Sequence, residues 1–333
     1  MRFIVFGTGA IGGMLAGKLA RSGANVLGIA RGAHLEAIRA DGLLIETPTG
    51  DEVARFPCVS DPSEIEFAAD DVIILAMKIQ DMQTALGQLR HAGIYDQAIV
   101  CAQNGVEGER LALRVFPNVY GMCVRMPTNF DRPGVLQQWG HPYPGNLDVG
   151  CYPRGTDATC DAIVAALVAA GYLAEAHPDV MKPKYEKLLG NLSNAVEAVF
   201  GRTPPAQLYL PRMRAEGEAT FAAAGIDTTD EFLAGRPPKA MTETPIKGRA
   251  RPGTSAWQGL LRGTGTIETD YLNGEIILLG RLHGVPTPLN EYFARFAQRM
   301  AETGAAPGSG DPDLIARELA GIMETPAPGR AAV

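Results

Sequence analysis

Residues 1–31 read MRFIVFGTGAIGGMLAGKLARSGANVLGIAR and predict a strand, a glycine turn, a helix and a second strand in that order. The turn follows the first apolar run at once and matches G-x-G-x-x-G. In such a turn the first glycine permits the bend, the second lets a pyrophosphate approach the backbone, and the third lets the helix pack close to the strand. The pyrophosphate then sits on the helix N-terminus, where free N–H groups favour negative charge. The stretch predicts a dinucleotide site, with a purely structural turn as the alternative. The candidate cofactor-binding residues of the turn are Gly7, Thr8, Gly9, Ala10, Ile11 and Gly12.

The residue that ends the second strand predicts which dinucleotide binds. An Asp or Glu at this place would bind the ribose 2′-hydroxyl of NAD. Here the strand ends at Arg31, and no acidic residue follows until Glu36. A guanidinium can pair with a phosphate through two parallel hydrogen bonds. Arg31 therefore favours NADP as the cofactor, and a solvated arginine at a strand end is the alternative.

The composition is that expected of an enzyme in a reducing compartment. The chain has 333 residues and a formal net charge of -7, which does not suggest a surface for nucleic acid or anionic membranes. Its five cysteines are scattered and form no C-x-x-C pair, so neither a disulfide framework nor a zinc site is indicated. The chain shows no signal-peptide pattern and no apolar run of the ~20 residues that span a membrane. We expect a cytoplasmic protein without a metal.

The first half of the chain keeps an alternating strand and helix pattern, typical of a parallel sheet. Asp71–Ala76 and Ala98–Ala102 read as buried strands, with a crossover helix at Met82–His91 between them. Residues 127–150 predict an antiparallel extension of that sheet. We predict an α/β, Rossmann-like NADP-binding domain at residues 1–177.

After His177 the pattern changes to helices, which predicts an all-helical domain at residues 178–333 that binds substrate and carries any homodimer interface. Two proline-rich stretches, Gly201–Pro211 and Gly235–Pro252, predict loops. The second stretch is basic. Two interpretations of it remain open, a solvated loop and a loop that covers an acidic ligand. A flexible tail is expected from Thr325. The predicted helices are Lys182–Phe200, Met213–Ala224, Ser255–Leu261, Glu268–His283, Leu289–Ala301 and Pro312–Met323.

Polar residues follow two of the predicted parallel strands. Lys78 comes just after the strand that ends at Ala76, and Asn104 comes just after the strand that ends at Ala102. Open α/β sheets bind their ligands at the carboxyl ends of parallel strands. Both residues are therefore candidates for the cofactor site, although Asn104 also begins a good Asn-Gly turn.

A polar stripe is predicted on the helix that contains Lys187. At roughly 100° per residue, Lys187, Asn191 and Asn194 fall within a stripe about 60° wide. Asparagine rarely gains by sitting inside a helix, so two of them in line with a lysine suggest a polar wall that faces a cleft. A solvated helix face is the alternative.

Taken together, these motifs resemble the ketopantoate reductase family, the NADP-dependent 2-dehydropantoate 2-reductases. The resemblance covers nearly all of the chain. The motifs that carry it are Gly7 to Gly12, Arg31, Lys78, Gln103-Asn104-Gly105, Lys187 with Asn191, Ser255 in Ser-Ala-Trp-Gln, and Glu268 in Glu-Thr-Asp-Tyr-Leu-Asn-Gly.

The resemblance implies a role for each matching residue. Lys187 would be the general acid for carbonyl reduction, and Glu268 would position the substrate and that lysine. Asn191 and Ser255 would bind the substrate, and Asn104 would lie beside both the nicotinamide and the substrate. Lys78 would lie near the adenosine half of NADPH, and the substrate would enter between the two domains.

The chain departs from the family pattern where substrate is recognised. The family has a second asparagine eight residues after the lysine, but this chain has Ala195 there and places Asn194 one position earlier. The family's Ser-Met-x-Gln-Asp ends here in Gly259, and the stretch to Glu268 is one residue longer. We expect Asn194 to bind substrate and the preferred substrate to be ketopantoate or a related 2-oxo acid or ketone.

Two other functions remain open on the sequence. One is a 3-hydroxyacid or opine-type NAD(P) dehydrogenase, which shares the plan of a Rossmann domain followed by helices. The other is a regulator that binds NADP without turnover, which would need the glycine turn but neither Lys187 nor Glu268.

Overall fold

The computed structural model describes residues 1–229, 241–263, 265 and 267–325. They form two compact units: residues 1–184 with 241–251, and residues 185–229 with 252–325. The division falls after Lys184, close to the predicted domain boundary at residue 177. The first part of the predicted loop Gly235–Pro252 and nearly all of the predicted tail lie outside the described residues.

The first unit is built on β-strands, and most of their apolar residues are buried. In the part that the structure describes, they are β1 (Arg2–Phe6), β2 (Val26–Ile29), β3 (Leu43–Thr47), β4 (Gly50–Ala54), β5 (Cys58–Val59), β6 (Asp71–Leu75), β7 (Ala98–Cys101), β8 (Val119–Arg125), β9 (Thr128–Arg132), β10 (Val135–Gln138), β11 (Gly140–Pro142), β12 (Asn146–Cys151), β13 (Leu173–Ala176) and β14 (Met241–Glu243).

Eight of these strands form the main sheet, in the order β13-β12-β8-β7-β6-β1-β2-β5. The six strands from β8 to β5 in that order are parallel, and β12 pairs antiparallel with β8. In the register of the sheet Phe6 of β1 pairs with Leu75 of β6 and with Ile29 of β2. The predicted Rossmann-like sheet is confirmed, and its carboxyl edge gathers the loops that follow β1, β2, β6 and β7.

The helices are of very different lengths. They are α1 (Ala10–Arg21), α2 (Gly32–Asp41), α3 (Met82–His91), α4 (Glu107–Leu113), α5 (Ala158–Ala169), α6 (Met181–Asn191), α7 (Ser193–Phe200), α8 (Pro204–Ala223), α9 (Ser255–Leu261), α10 (Asn273–His283), α11 (Pro288–Thr303) and α12 (Pro312–Glu324). No described helix has both the length and the apolar character needed to cross a membrane.

The prediction that residues 127–150 extend the main sheet is wrong for its first half. Strands β9 and β10 form a separate four-stranded sheet, in the order β4-β3-β10-β9, and only β12 extends the main sheet. The reason is the helix α1, which contacts β1 and β2 on one side and all four strands of the small sheet on the other. A helix between two sheets buries apolar residues of both, including Leu136 of β10.

The single helix predicted at Lys182–Phe200 is wrong in one respect. The chain forms α6 and α7, separated by Leu192, rather than one continuous helix. Asn191 therefore ends the first helix, and Asn194 lies in the first turn of the second. The predicted polar stripe, which assumed one unbroken helix, stays a prediction, because the backbone of Leu192 between the two helices keeps helical angles.

The prediction of a loop at Gly201–Pro211 is also wrong. Helix α8 begins at Pro204 and continues through Pro211 to Ala223. Proline is tolerated in the first turn of a helix because that turn needs no N–H donor. Pro211 costs the helix one hydrogen bond, while Tyr209 and Met213 on either side of it are buried. Burial of these apolar side chains outweighs the local preference for a loop.

The predicted helix at Glu268–His283 begins differently from the expectation. Residues Glu268–Tyr271 form a 3-10 turn, and α10 starts only at Asn273. It ends as the sequence indicates, because Gly284 adopts the left-handed conformation that closes a helix.

Candidate active site

The glycine turn after β1 is closed by contacts that only glycine permits. Gly7 has a φ of +92°, and a Cβ at this residue would lie 2.8 Å from the backbone nitrogen of Met77. A Cβ on Gly12 would collide with the carbonyl oxygen of Gly7 and lie 3.0 Å from Val5 Cγ1. The turn thus packs against the loop that follows β6, and α1 packs against β1.

The same turn leaves room for an anion at the start of α1. A Cβ on Gly9, the residue that caps the helix, would meet no described atom within 4 Å. No side chain caps the helix N-terminus, and its first turn has no acidic residue. Thr8 is buried, and its hydroxyl finds no hydrogen-bond partner among the described residues. A pyrophosphate fits this place, because the space is open and both the N–H groups of the helix and the Thr8 hydroxyl can donate to it.

A pocket of about 200 Å³ in the first unit joins this turn to the end of β2. Gly7, Thr8 and Gly9 line it together with the exposed Arg31, which caps α2. Ala10, Ile11 and Gly12 form the start of α1 just behind it. Asp81 also lines the pocket, so a carboxylate that could accept a ribose hydroxyl lies near the arginine.

Lys78 and Asn104 lie on two neighbouring loops of the sheet edge, outside the set of residues that line this pocket. Lys78 caps the 3-10 turn that follows β6. Asn104 follows β7, which pairs with β6. The preceding Gln103 donates from Nε2 to Met77 Sδ at 3.5 Å, so the two loops contact each other.

A buried ion pair that the sequence analysis missed anchors the Gln103-Asn104 turn. Lys184 Nζ lies 2.8 Å from Glu109 Oε1, and both side chains are almost completely buried. The ammonium also donates to the carbonyl oxygens of Gln103 at 3.1 Å and Met122 at 3.3 Å. Truncating either member would leave a buried charge without its partner, so the pair holds the turn in place.

The basic stretch near residue 247 is paired with acidic groups of the first unit. Lys247 Nζ lies 3.0 Å from both Glu46 Oε1 and Asp51 Oδ2, and Arg249 lies 2.9 Å from Glu46 Oε2. Gln137 donates to the same carboxylate at 3.0 Å. The hydrogen bond from Gln137, together with the two cations, lowers the pKa of Glu46 to about 2.

This pairing predicts that residues 241–251 loosen in acid. The folded pKa of Glu46 is depressed, so its stabilisation is complete above about pH 4.5 and is lost as the pH falls towards about 2. Replacing Glu46 with glutamine should reduce amide-exchange protection of residues 241–251 by about ten-fold at pH 7. Asp51→Asn, at a more exposed carboxylate, is the matched control and should change it far less. Equal protection in E46Q and the unmodified protein would show that Glu46 does not hold the segment.

The second unit carries the predicted catalytic residues and, apart from Asn104, the residues predicted to bind the substrate. Lys187 lies on α6 and Asn191 is the last residue of that helix. The side-chain nitrogen of Asn191 is buried without a hydrogen-bond partner among the described residues. It is therefore a donor that an oxygen of a bound molecule could use.

The structure brings two of the predicted substrate residues together. Asn194, at the start of α7, is buried and donates from Nδ2 to Ser255 Oγ at 3.2 Å. Ser255 is the first residue of α9, which contacts α7. Because Ser255 accepts this bond, its own hydroxyl hydrogen remains available for another acceptor.

Asn273, which the sequence analysis quoted only as part of a motif, joins the segment of Glu268 to the helix break. Its Nδ2 donates to the carbonyl oxygen of Leu192 at 3.3 Å and to Asn290 Oδ1 at 3.0 Å. Asn290 in turn donates to the buried Glu216 at 2.8 Å. This buried network ties the start of α10 to Leu192, the residue between α6 and α7. Glu268 lies in the 3-10 turn that immediately precedes α10.

A dinucleotide-type glycine turn on a parallel sheet, followed by a helical unit that carries a lysine and paired polar side chains, is typical of nicotinamide-dependent oxidoreductases. Comparison with known proteins agrees. The family profile "Ketopantoate reductase PanE/ApbA" matches residues 3–154, and its C-terminal counterpart matches residues 179–301. The chain therefore belongs to the ketopantoate reductase family and is an oxidoreductase of the class that acts on C=O and CH–OH groups.

Individual relatives extend over nearly the whole chain. A 2-dehydropantoate 2-reductase of Mesorhizobium japonicum is 33% identical over 330 residues, covering 90% of this chain and 98% of the relative. A PanE/ApbA family ketopantoate reductase of Ralstonia eutropha JMP134 superposes with a TM-score of 0.76 at 26% identity, covering 91% and 99% of the two chains. D-mandelate dehydrogenase, solved with NADH and anilino(oxo)acetate, superposes with a TM-score of 0.77 at 23% identity and the same coverage.

Proposed function

We propose that this protein reduces the carbonyl group of a 2-oxo acid with NADPH, the substrate being ketopantoate or a related 2-oxo acid or ketone. The observation that carries the proposal is that the glycine turn and Arg31 line one pocket. This arrangement supports the proposal, because NADPH needs a donor turn for its pyrophosphate and a cation for its 2′-phosphate close together. The family relationship supports the reaction class, and the cofactor preference rests on Arg31.

The chemistry divides between the cofactor and the protein. A bound nicotinamide supplies the hydride that the carbonyl carbon receives. The protein must then supply a proton for the carbonyl oxygen and positive charge for the alkoxide that forms there. We assign both tasks to Lys187, whose ammonium stabilises the developing negative charge and donates a proton from Nζ.

The residues around Lys187 have positioning roles in this proposal. Asn191 lies one helical turn further along α6, and its Nδ2, which has no hydrogen-bond partner among the described residues, can donate to a substrate oxygen. Glu268 orients the substrate and the lysine. One hydrogen bond supports this role of Glu268. Asn273, shortly after Glu268 in the chain, donates to the carbonyl oxygen of Leu192, the residue that follows Asn191.

The proposed substrate class depends on the changed asparagine pattern. Ala195 is completely buried and offers no polar group where the family has an asparagine. The amide of Asn194 is already bonded to Ser255. A substrate hydroxyl that the family's asparagine would hold therefore lacks that partner, and a lost hydrogen bond of this kind costs about 1–3 kcal/mol when a buried group is left unsatisfied.

We therefore expect a 2-oxo acid or ketone without that hydroxyl to be reduced with a higher kcat/KM than ketopantoate. The measurement is NADPH absorbance during turnover of ketopantoate beside a panel of 2-oxo acids, 3-oxo acids and ketones. A ten-fold or greater lead for ketopantoate would show that another group has replaced the missing asparagine. If NADPH binds but no compound is turned over, a regulator that only senses the cofactor becomes the better account.

A further inference from the structure

We infer that His34 is a positioning residue for the cofactor pyrophosphate, acting by fixing the carbonyl group of Thr8 and, through it, the peptide N–H of Gly9. This inference rests on the proposed cofactor site at the glycine turn. It concerns a residue to which neither the motif nor the family resemblance assigned a role.

The geometry around the imidazole ring links three segments of the first unit. His34 lies in the first turn of α2, three residues after Arg31, and it lines the same pocket as the glycine turn. Its Nε2 lies 2.7 Å from the carbonyl oxygen of Thr8. Its Nδ1 lies 2.9 Å from the backbone nitrogen of Gly134, in the turn between β9 and β10. The ring also packs edge-on against Phe130, with centroids 4.9 Å apart.

These two contacts determine where the ring hydrogen lies. The N–H of Gly134 can only donate, so Nδ1 must be the acceptor and carry no hydrogen. Nε2 then carries the hydrogen and donates it to the oxygen of Thr8, which can only accept. Burial lowers the pKa of His34 below its ordinary value, which keeps the ring neutral at pH 7. A neutral histidine in this tautomer satisfies both contacts, and a charged one would not.

The bond to Thr8 matters because the carbonyl of Thr8 and the N–H of Gly9 belong to the same peptide group. A trans peptide is planar, so its C=O and its N–H point in opposite directions. By holding the Thr8 carbonyl, His34 fixes the direction of the Gly9 N–H, which points the opposite way within the plane of the same peptide. The same oxygen lies close to Gly13, where an added Cβ would be 2.6 Å from it, so it is held against the first turn of α1. The turn thereby keeps the donor arrangement that an anion needs.

This role predicts a signature that differs from that of Arg31. The pyrophosphate is common to NADPH and NADH, so loss of the Thr8 bond should weaken both cofactors by the same factor. Loss of Arg31 should weaken only NADPH, because only NADPH has the 2′-phosphate. The ratio of the two affinities therefore separates the two roles.

Two variants with similar side chains test the inference. In His34→Gln the side-chain amide reaches the position of Nε2 and can still donate to Thr8. In His34→Asn the shorter side chain reaches only the position of Nδ1, so it can accept from Gly134 but cannot reach Thr8. We expect H34N to bind NADPH and NADH about ten-fold more weakly and H34Q to retain most of the affinity. The control is His91→Asn, at an exposed histidine on α3, which should change neither affinity.

Dissociation constants for both cofactors are measured by titrating cofactor fluorescence, which needs no substrate, and thermal melting without cofactor reports on folding. Equal losses in H34N and H34Q would overturn the inference, because both variants remove the ring from Phe130 and packing alone would explain them. A loss confined to NADPH would also overturn it. If H34N does not fold, His34→Phe keeps the packing and removes both bonds, and the same loss is expected. An unmodified protein that binds neither cofactor would instead reject the proposed function.

Discussion

Replacing Lys187 with alanine is expected to lower kcat by about 10²-fold or more, the usual scale for losing a placed general acid. The affinity for NADPH should barely change, because the glycine turn and Arg31 belong to the other unit of the chain. The loss should fall on kcat because the interaction with the alkoxide exists only as negative charge develops on the carbonyl oxygen.

The measurement combines steady-state kinetics on the best substrate of the panel with a direct NADPH titration. Lys182→Ala is the control, since it removes a lysine from the same helix, five residues earlier, and should leave kcat unchanged. If K187A turns over at the parental rate, Lys187 is an ordinary surface lysine and the proposed mechanism is wrong. A large rise in KM at constant kcat would assign Lys187 to substrate binding instead.

Replacing Arg31 with alanine is expected to remove most of the preference for NADPH. We expect the unmodified protein to bind NADPH at least ten-fold more tightly than NADH, a difference of about 1.4 kcal/mol. The physical reason is the guanidinium at the end of β2, which lines the pocket and can pair with the 2′-phosphate. NADH lacks that phosphate, so its affinity should stay nearly constant in R31A.

Titration of both proteins with both cofactors at two salt concentrations tests this expectation. The preference should shrink at high salt, because Arg31 is exposed and its charge is screened. Asp81 lines the same pocket, and a carboxylate there can accept hydrogen bonds from a ribose. The affinity for NADH must therefore be measured beside that for NADPH. Equal affinities for NADPH and NADH in the unmodified protein would reject the assignment of NADP.

Much of the fold could be predicted because its elements are strong local patterns. The apolar runs that became β1, β6 and β7 are buried on a parallel sheet, and such strands read as continuous hydrophobic stretches. The helix α3 has the predicted bounds, Met82–His91. The glycine turn could be predicted because the spacing of its glycines follows from steric requirements among residues that are close together in the chain.

The errors lie where packing outweighs local preference. Leu192 interrupts the helix predicted at Lys182–Phe200, and its carbonyl oxygen accepts a hydrogen bond from Asn273, a residue far away in sequence. Helix α8 begins at Pro204 in a segment whose prolines predict a loop. The small sheet of β3, β4, β9 and β10 depends on α1 presenting a second face, which no pattern within residues 127–150 reports.

Residues that are neighbours in the chain, or motifs in a set order along it, specify the Rossmann-like sheet, the dinucleotide-type turn and the family, so all three could be predicted from the sequence. Which polar groups meet depends on the tertiary structure. Asn194 bonds to Ser255, and His34 joins Thr8 to Gly134, across intervals of tens of residues. Hydrogen bonds are short and directional, so their partners are chosen by how the elements pack. The spacing of residues along the chain can indicate a donor but not the acceptor that it finds.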